Sequence, residues 1–311
     1  MDPVSVFLRL LNMRRQVDSV ELLEDWNNRF KVSTTDLQHK INRNSTMLIN
    51  VSRKLDLIPK YKKQFVSFSE LSQDLKIIKK NQSAIFLCND RVVGGVVRDV
   101  ALTKVSNFLG NKIKSTVDNH YDIVRGKEHG SSGKLVGHGL RKDPLGSFSG
   151  SYAYKKVARK KPSPDEQRIL DKDGDTVAKW LYNNAKTDMP WITNSYEEFK
   201  NSVNLDEKQI IGALFCAENY EAVGHSDNDR TDWALGYVYE IGEVKEGHFF
   251  YPEFGVAIEM SSNSIWYWLT QAIHGTAKLD LSGGGVRYTA AISLSEKTAR
   301  AIEREKKRVK T

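Results

Sequence analysis

Between residues 208 and 294 five β-rich runs follow one another, QIIGALFCA, WALGYVYEI, HFFYPEFGVAIEM, SIWYWLTQAIHG and RYTAAISL, separated by Gly, Asn and Ser turns. Short strands at this spacing, with no helical period between them, predict a small antiparallel barrel. Whatever else the chain carries must pack around that barrel.

The rest of the sequence divides by its period. Apolar residues recur at helical spacing in VSVFLRLLNMRRQVDSVELLEDWNNRF, in TTDLQHKINRNSTMLINVSRKLDLI up to Pro59, and in SELSQDLKIIKK. These runs predict a helical extension over residues 1–83. From residue 84 the pattern turns to strand, and residues 84–311 read as an α+β domain built on the barrel. Inside it, residues 126–162 form a Gly/Ser/Lys-rich stretch that predicts a basic loop, and its GSSG has the composition of an engineered join as well as of a loop. Ser163-Pro164-Asp165-Glu166 is a helix start signal. DKDGD at 171–175 begins like a calcium loop but lacks the later ligands, so it predicts a helix break. A Ser-capped charged helix closes the chain.

Composition narrows the class. With 40% hydrophobic and 28% charged residues the 311-residue chain matches an ordinary soluble domain. No run reaches the roughly 18–20 apolar residues of a membrane span, and the N-terminus lacks a signal-peptide pattern, which predicts an intracellular protein without a membrane partner. Cys88 and Cys216 each sit in an apolar run and read as buried thiols, so any metal must be held by histidines and carboxylates. The net charge of +8 is uneven: residues 1–202 carry about +12 and the remainder about −4. That asymmetry points to a nucleic-acid or membrane-surface partner, with a solvated lysine-rich surface as the alternative.

His225 and Asp227 in GHSDNDR stand two apart, so in extended backbone both side chains reach one side. Alone, such a pair is common. It gains meaning from His274 in QAIHGTAKL and from Arg287, thirteen residues later, opening RYTAAISL. Two imidazoles and one carboxylate leave three open positions on an octahedral ion, which suits non-haem Fe(II). 2-Oxoglutarate fills two of them and O2 the third, while a guanidinium grips the far carboxylate through paired hydrogen bonds. Arg287 takes that role.

These residues resemble the Fe(II)/2-oxoglutarate dioxygenases with a double-stranded β-helix (jelly-roll) core, and within them the Tet/JBP-like family, in particular its fungal transposon-associated branch. The resemblance spans about residues 208–294 and rests on GHSDNDR, EGHFFYPEFGVAIEM, AIHG and RYTAAISL. It implies iron ligands at His225, Asp227 and His274 and a 2-oxoglutarate anchor at Arg287. MSSNS stands where the family often has a Pro-Gly-Asp turn, and no second arginine follows Arg287 as in AlkB-like enzymes. The family's substrates imply oxidation of a methylated base in DNA, 5-methylcytosine or N6-methyladenine, flipped out of a duplex. The sequence leaves open hydroxylation of a protein or small molecule, and an inactive nucleic-acid-binding protein of a mobile element. Oligomeric state is not legible.

Around this centre, Asp229 and Arg230 could line the mouth of the site or stabilise its turn. Lys155, Lys156, Arg159, Lys160 and Lys161 could neutralise phosphates, serve as a nuclear-import signal or remain a solvated loop. RKLDLIPKYKK at 53–63 would join such a surface if the stretches converge. Trp266, Tyr267 and Trp268 read as barrel packing, His248 as surface or packing, and His129 and His138 as exposed loop residues.

Overall fold

A computed structural model describes residues 46–119, 123–124, 130–142, 148–151, 163–205 and 212–308. Its strands are β1 (Met47–Asn50), β2 (Lys76–Ile78), β3 (Ala84–Cys88), β4 (Arg91–Val97), β5 (Ile123–Val124), β6 (Ser131–Lys142), β7 (Phe148–Ser151), β8 (Ala213–His225), β9 (Trp233–Ile241), β10 (Lys245–Glu246), β11 (Phe249–Tyr251), β12 (Val256–Ile258), β13 (Ser264–Leu269), β14 (His274–Thr276), β15 (Leu279–Asp280) and β16 (Val286–Ser293). The described helices are α1 (Ile58–Tyr61), α2 (Phe68–Asp74), α3 (Thr103–Asn119), α4 (Pro164–Asp188), α5 (Pro190–Ser202) and α6 (Glu296–Arg308).

The long strand β8 serves two layers. Residues 213–218 pair with β16, and residues 222–225 pair with β14. One layer runs β8–β16–β9–β13 and continues through β4, β3 and β1; the other runs β8–β14–β11–β12 and continues to β2. From β9 onward the chain crosses between the layers, with β9, β13 and β16 in the first and the β11–β12 hairpin and β14 in the second, which is the winding of a double-stranded β-helix.

Strand alternation sorts side chains between two cores. Along β16, Tyr288, Ala290 and Ile292 face outward, where they join Leu109 and Ile113 of α3, Leu181 of α4 and Tyr196 of α5. Ala291, of opposite parity, packs toward the interior cluster of Phe249, Tyr251, Val238, Trp266 and Trp268. A third cluster of Tyr61, Leu71 and Phe250 covers the outside of the second layer. Helix α2 is held there by a capping box between Ser67 and Glu70.

Several expectations change. Met47–Asn50, within a helical pattern, is a strand paired in parallel with β3, and Lys76–Ile78 is a strand paired with β12. Residues 46–83 therefore build the edges of the sheet; residues 1–45 lie outside the described residues. Tertiary pairing outweighs a weak local helical pattern in both cases. Much of the expected basic loop 126–162 is strand: β6 pairs along the edge of β8, and the GSSG begins that strand. Its glycines conceal the alternation. Gly133 has φ of +83° and lies against the Asn219 carbonyl at a register shift, where a Cβ would come within 2.3 Å. Helix α4 passes through DKDGD without a break, because Asp173 pairs with Lys112 at 2.7 Å and Asp175 with His138 at 3.0 Å. His138 is accordingly buried, and His248 is also buried, stacked on Phe68 with ring centroids 4.6 Å apart.

Candidate metal centre

His225 ends β8 and His274 begins β14, and the two are direct cross-strand partners. Their rings lie 4.6 Å apart. Asp227, in the turn after β8, brings one carboxylate oxygen to 3.2 Å from His274 Nε2 and the other to 3.7 Å from His225 Nε2. One donor atom from each residue falls within 4.8 Å of the others.

Hydrogen bonds fix which nitrogens face the centre. His225 Nδ1 lies 2.7 Å from the Val223 carbonyl, and His274 Nδ1 lies 2.9 Å from the Ala272 carbonyl. A carbonyl only accepts, so each Nδ1 carries the proton and each neutral ring presents Nε2 as a lone pair. Burial pushes the Asp227 carboxyl up, and when the rings are protonated the hydrogen bond from His274 and the charges of both histidines bring it below its ordinary range. Two imidazole nitrogens and an ionised carboxylate are the donors that non-haem Fe(II) takes. The residues fit that ion. His274 is almost fully buried, whereas the His225 and Asp227 side chains are each 38% exposed, so the centre opens on their side.

The surroundings lock this geometry. The Asp227 amide donates to the Thr270 carbonyl at 2.8 Å, and the Ile273 amide, next to His274, donates to buried Glu253 at 3.3 Å. Arg53 in turn donates to Glu253 through Nε at 2.8 Å. Phe249 stacks on His274 with centroids 5.8 Å apart, and Trp268 lies 5.4 Å from it. Trp266 and Trp268 stack nearly parallel, and neither indole N–H has an acceptor among the described residues.

Arg287 is 2% exposed and shares the inward parity of Ala291 on β16. Its Nε donates to Glu240 at 2.7 Å, Nη1 to the Gly247 carbonyl at 2.5 Å and Nη2 to the Glu246 carbonyl at 3.1 Å. These bonds take three of its five N–H donors, leaving two without an acceptor among the described residues. Glu240 balances the charge, a feature invisible in the sequence because the two pair across strands β9 and β16 forty-seven positions apart.

The remaining candidates separate. Asp229 lies beside the centre. Burial, reinforced by the negative charge of Asp227, raises its carboxyl to about 7, and one of its oxygens has no partner among the described residues. Arg230 turns instead to α6, donating to Glu296 at 2.6 Å and Glu303 at 2.8 Å, and so braces the ligand turn rather than lining its mouth. Lys155, Lys156, Arg159, Lys160 and Lys161 lie outside the described residues. The sequence reading missed Glu240, Glu253 and the unpartnered indoles; the aromatic run IWYWL was visible, but its donors' lack of acceptors was not.

Fold and donors together define a double-stranded β-helix with a two-histidine, one-carboxylate cluster able to hold a metal ion. No family model matches the chain, and no curated protein matches its sequence. Among solved structures it is similar to NgTET1 in complex with 5mC DNA, at 9% identity and a TM-score of 0.48, covering 75% of this chain and 93% of that one. It is also similar to the collagen prolyl hydroxylase of Paramecium Bursaria Chlorella virus-1 in a 2OG complex, at 11% identity and a TM-score of 0.32, covering 65% and 96%. A prolyl-4-hydroxylase from Pseudomonas putida follows, at 8% identity and a TM-score of 0.34, covering 65% and 92%. With every TM-score below 0.5 these are partial likenesses, and the class above rests on this chain's own strand order and donor atoms. None of the described helices is long and apolar enough to cross a membrane.

Proposed function

We propose that this protein is an Fe(II)/2-oxoglutarate-dependent dioxygenase that oxidises a methylated base in DNA. The observation that carries the reading is the convergence of His225, Asp227 and His274 donors within 4.8 Å at the ends of two paired strands. His225, Asp227 and His274 would hold the iron, and Arg287 would anchor the far carboxylate of 2-oxoglutarate with its two unspent N–H groups. When bound, iron, 2-oxoglutarate and O2 together supply an oxidant that converts a methyl C–H to C–OH while 2-oxoglutarate becomes succinate and CO2.

The chain's part is geometric. The Nδ1 bonds to Val223 and Ala272 keep both Nε2 atoms directed at the centre, and the Thr270 bond fixes the Asp227 turn. Phe249 and Trp268 close the buried side against water, leaving the His225 and Asp227 side for substrate. The positive first two-thirds of the chain favours a polyanion, whose flipped base would reach an otherwise enclosed centre.

The test is mass spectrometry of nucleosides from duplex DNA containing 5-methylcytosine or N6-methyladenine after incubation with protein, Fe(II), 2-oxoglutarate and ascorbate. Loss of one modified base, dependent on 2-oxoglutarate and absent in Asp227→Ala, is the expected result. Succinate formation with both bases intact would leave the oxygenase and remove DNA as its substrate.

A further inference from the structure

The segment Lys60-Tyr61-Lys62-Lys63 is fastened directly against the strand that carries His225. Lys62 forms a parallel bridge with Gly224, and the Lys63 amide donates to the Gly224 carbonyl at 2.8 Å. This approach requires glycine at 224, since a Cβ there would come within 2.3 Å of the Tyr61 carbonyl oxygen. Tyr61 is the anchor: its side chain is fully buried, its ring lies 5.9 Å from Phe250, and its hydroxyl donates to Asp74 at 2.6 Å. Lys63 adopts a left-handed backbone, φ +61°, which a lysine seldom takes and which the bond to Gly224 accompanies.

A buried tyrosine thus presents exposed lysines on both sides of itself, immediately beside the first metal ligand. Neighbouring strands lie about 4.8 Å apart and successive Cα atoms 3.8 Å. The backbone of Lys62 and Lys63 therefore runs within about 10 Å of the His225 backbone. Over residues 53–63 five cations, Arg53, Lys54, Lys60, Lys62 and Lys63, stand against the single acid Asp56. Two of the five are spent on carboxylates from elsewhere, Arg53 on Glu253 and Lys60 on Asp74. The ammonium groups of Lys62 and Lys63 have no acceptor among the described residues, and both side chains are exposed, so their charge is available to a polyanion lying beside the His225 strand.

We propose that Lys62 and Lys63 are a phosphate clamp, gripping the DNA backbone next to the nucleotide whose base enters the metal centre. The inference rests on the proposed reaction and adds to it the surface that positions the strand. Rigid attachment to Gly224 matters as much as charge, because it fixes the distance from phosphate to metal.

The experiment measures binding of a fluorescent duplex carrying the modified base by anisotropy across a salt series. It compares the iron-loaded protein with Lys62→Gln/Lys63→Asn, with the charge-preserving Lys62→Arg/Lys63→Arg, and with the remote exposed control Lys104→Gln. Asparagine at 63 keeps a residue that tolerates the left-handed backbone. The neutral pair is expected to lose roughly tenfold in affinity and to lower the salt slope by about two, one per phosphate contact. The arginine pair and the control are expected to match the parent within twofold, with iron stoichiometry equal in all four proteins. Parent-like affinity and salt slope in the neutral pair would overturn the clamp while leaving the DNA reaction standing. Absence of salt-dependent duplex binding in the parent itself would overturn both.

Discussion

The two faces of the β8–β16–β9–β13 layer contrast sharply although the same strands supply both. Outward, Ile265 and Tyr267 of β13 and Tyr288, Ala290 and Ile292 of β16 meet helices α3, α4 and α5 in one continuous apolar core. Inward, the intervening positions hold Trp266 and Trp268, whose indole N–H groups have no acceptor among the described residues, and Arg287, paired with Glu240. Both faces are packed as cores, but only the inward one also carries polar donors, with the Trp268 ring 5.4 Å from His274. Ligand binding should therefore reside inward, while the outward face contributes stability alone.

That division can be broken most directly at the ligands. Asp227→Ala is expected to reduce bound iron from one per chain to none, measured by metal analysis, with thermal unfolding of the metal-free protein little changed. A variant that retained full iron would sink the assignment of the centre. The outward counterpart is Ile292→Ala, which removes a side chain 1% exposed and should cost about 2–4 kcal/mol in denaturant unfolding. Iron stoichiometry should persist in it; loss of iron at temperatures where it stays folded would erase the distinction between faces.

Finer tests act within the inward face. Arg287→Lys keeps the charge but loses the planar fork, and 2-oxoglutarate affinity, measured calorimetrically without oxygen, should weaken by at least about tenfold. An unchanged affinity would move the anchor elsewhere. Trp268→Phe removes one N–H while keeping aromatic packing, and a lost hydrogen bond of about 1 kcal/mol corresponds to a roughly fivefold weaker complex. Quenching of tryptophan fluorescence by 2-oxoglutarate in the parent, diminished in this variant, would mark Trp268 as the reporter.

The last test concerns pH at the outside of the second layer. Burial pushes His248 down to about 4, so the folded protein keeps it neutral where an unfolded chain would protonate it near 6.5. Between those values the unfolded state binds more protons, and stability falls as pH drops from about 6.5 toward about 4. His248→Phe, next to Phe68, should flatten that part of the unfolding-versus-pH curve. An equal slope in both proteins would assign the acid sensitivity to other groups.

Legibility differed by region for physical reasons. His225, Asp227, His274 and Arg287 could be picked out because strand ends and turn residues bracket them, and their chemistry is rare in combination. Residues 47–50 could not, because four residues of strand carry too little local preference against a helical surrounding pattern. β6 was hidden by glycines that serve its close contact with β8 at Asn219. His138 looked exposed in a Gly-rich stretch, and only the packing of α4 against β6 placed Asp175 beside it.

By itself the sequence determined the elements whose information is local: the barrel strands, the helix starts, the donor types and their order along the chain. The tertiary structure alone decided what depends on distant partners. It set the cross-strand pairing of His225 with His274, the neutralisation of Arg287 by Glu240, the turning of Arg230 toward α6, and the docking of Lys62 and Lys63 at Gly224. Period and propensity are properties of neighbouring residues, whereas pairing, burial and charge balance arise only when segments tens to more than a hundred positions apart exclude water together.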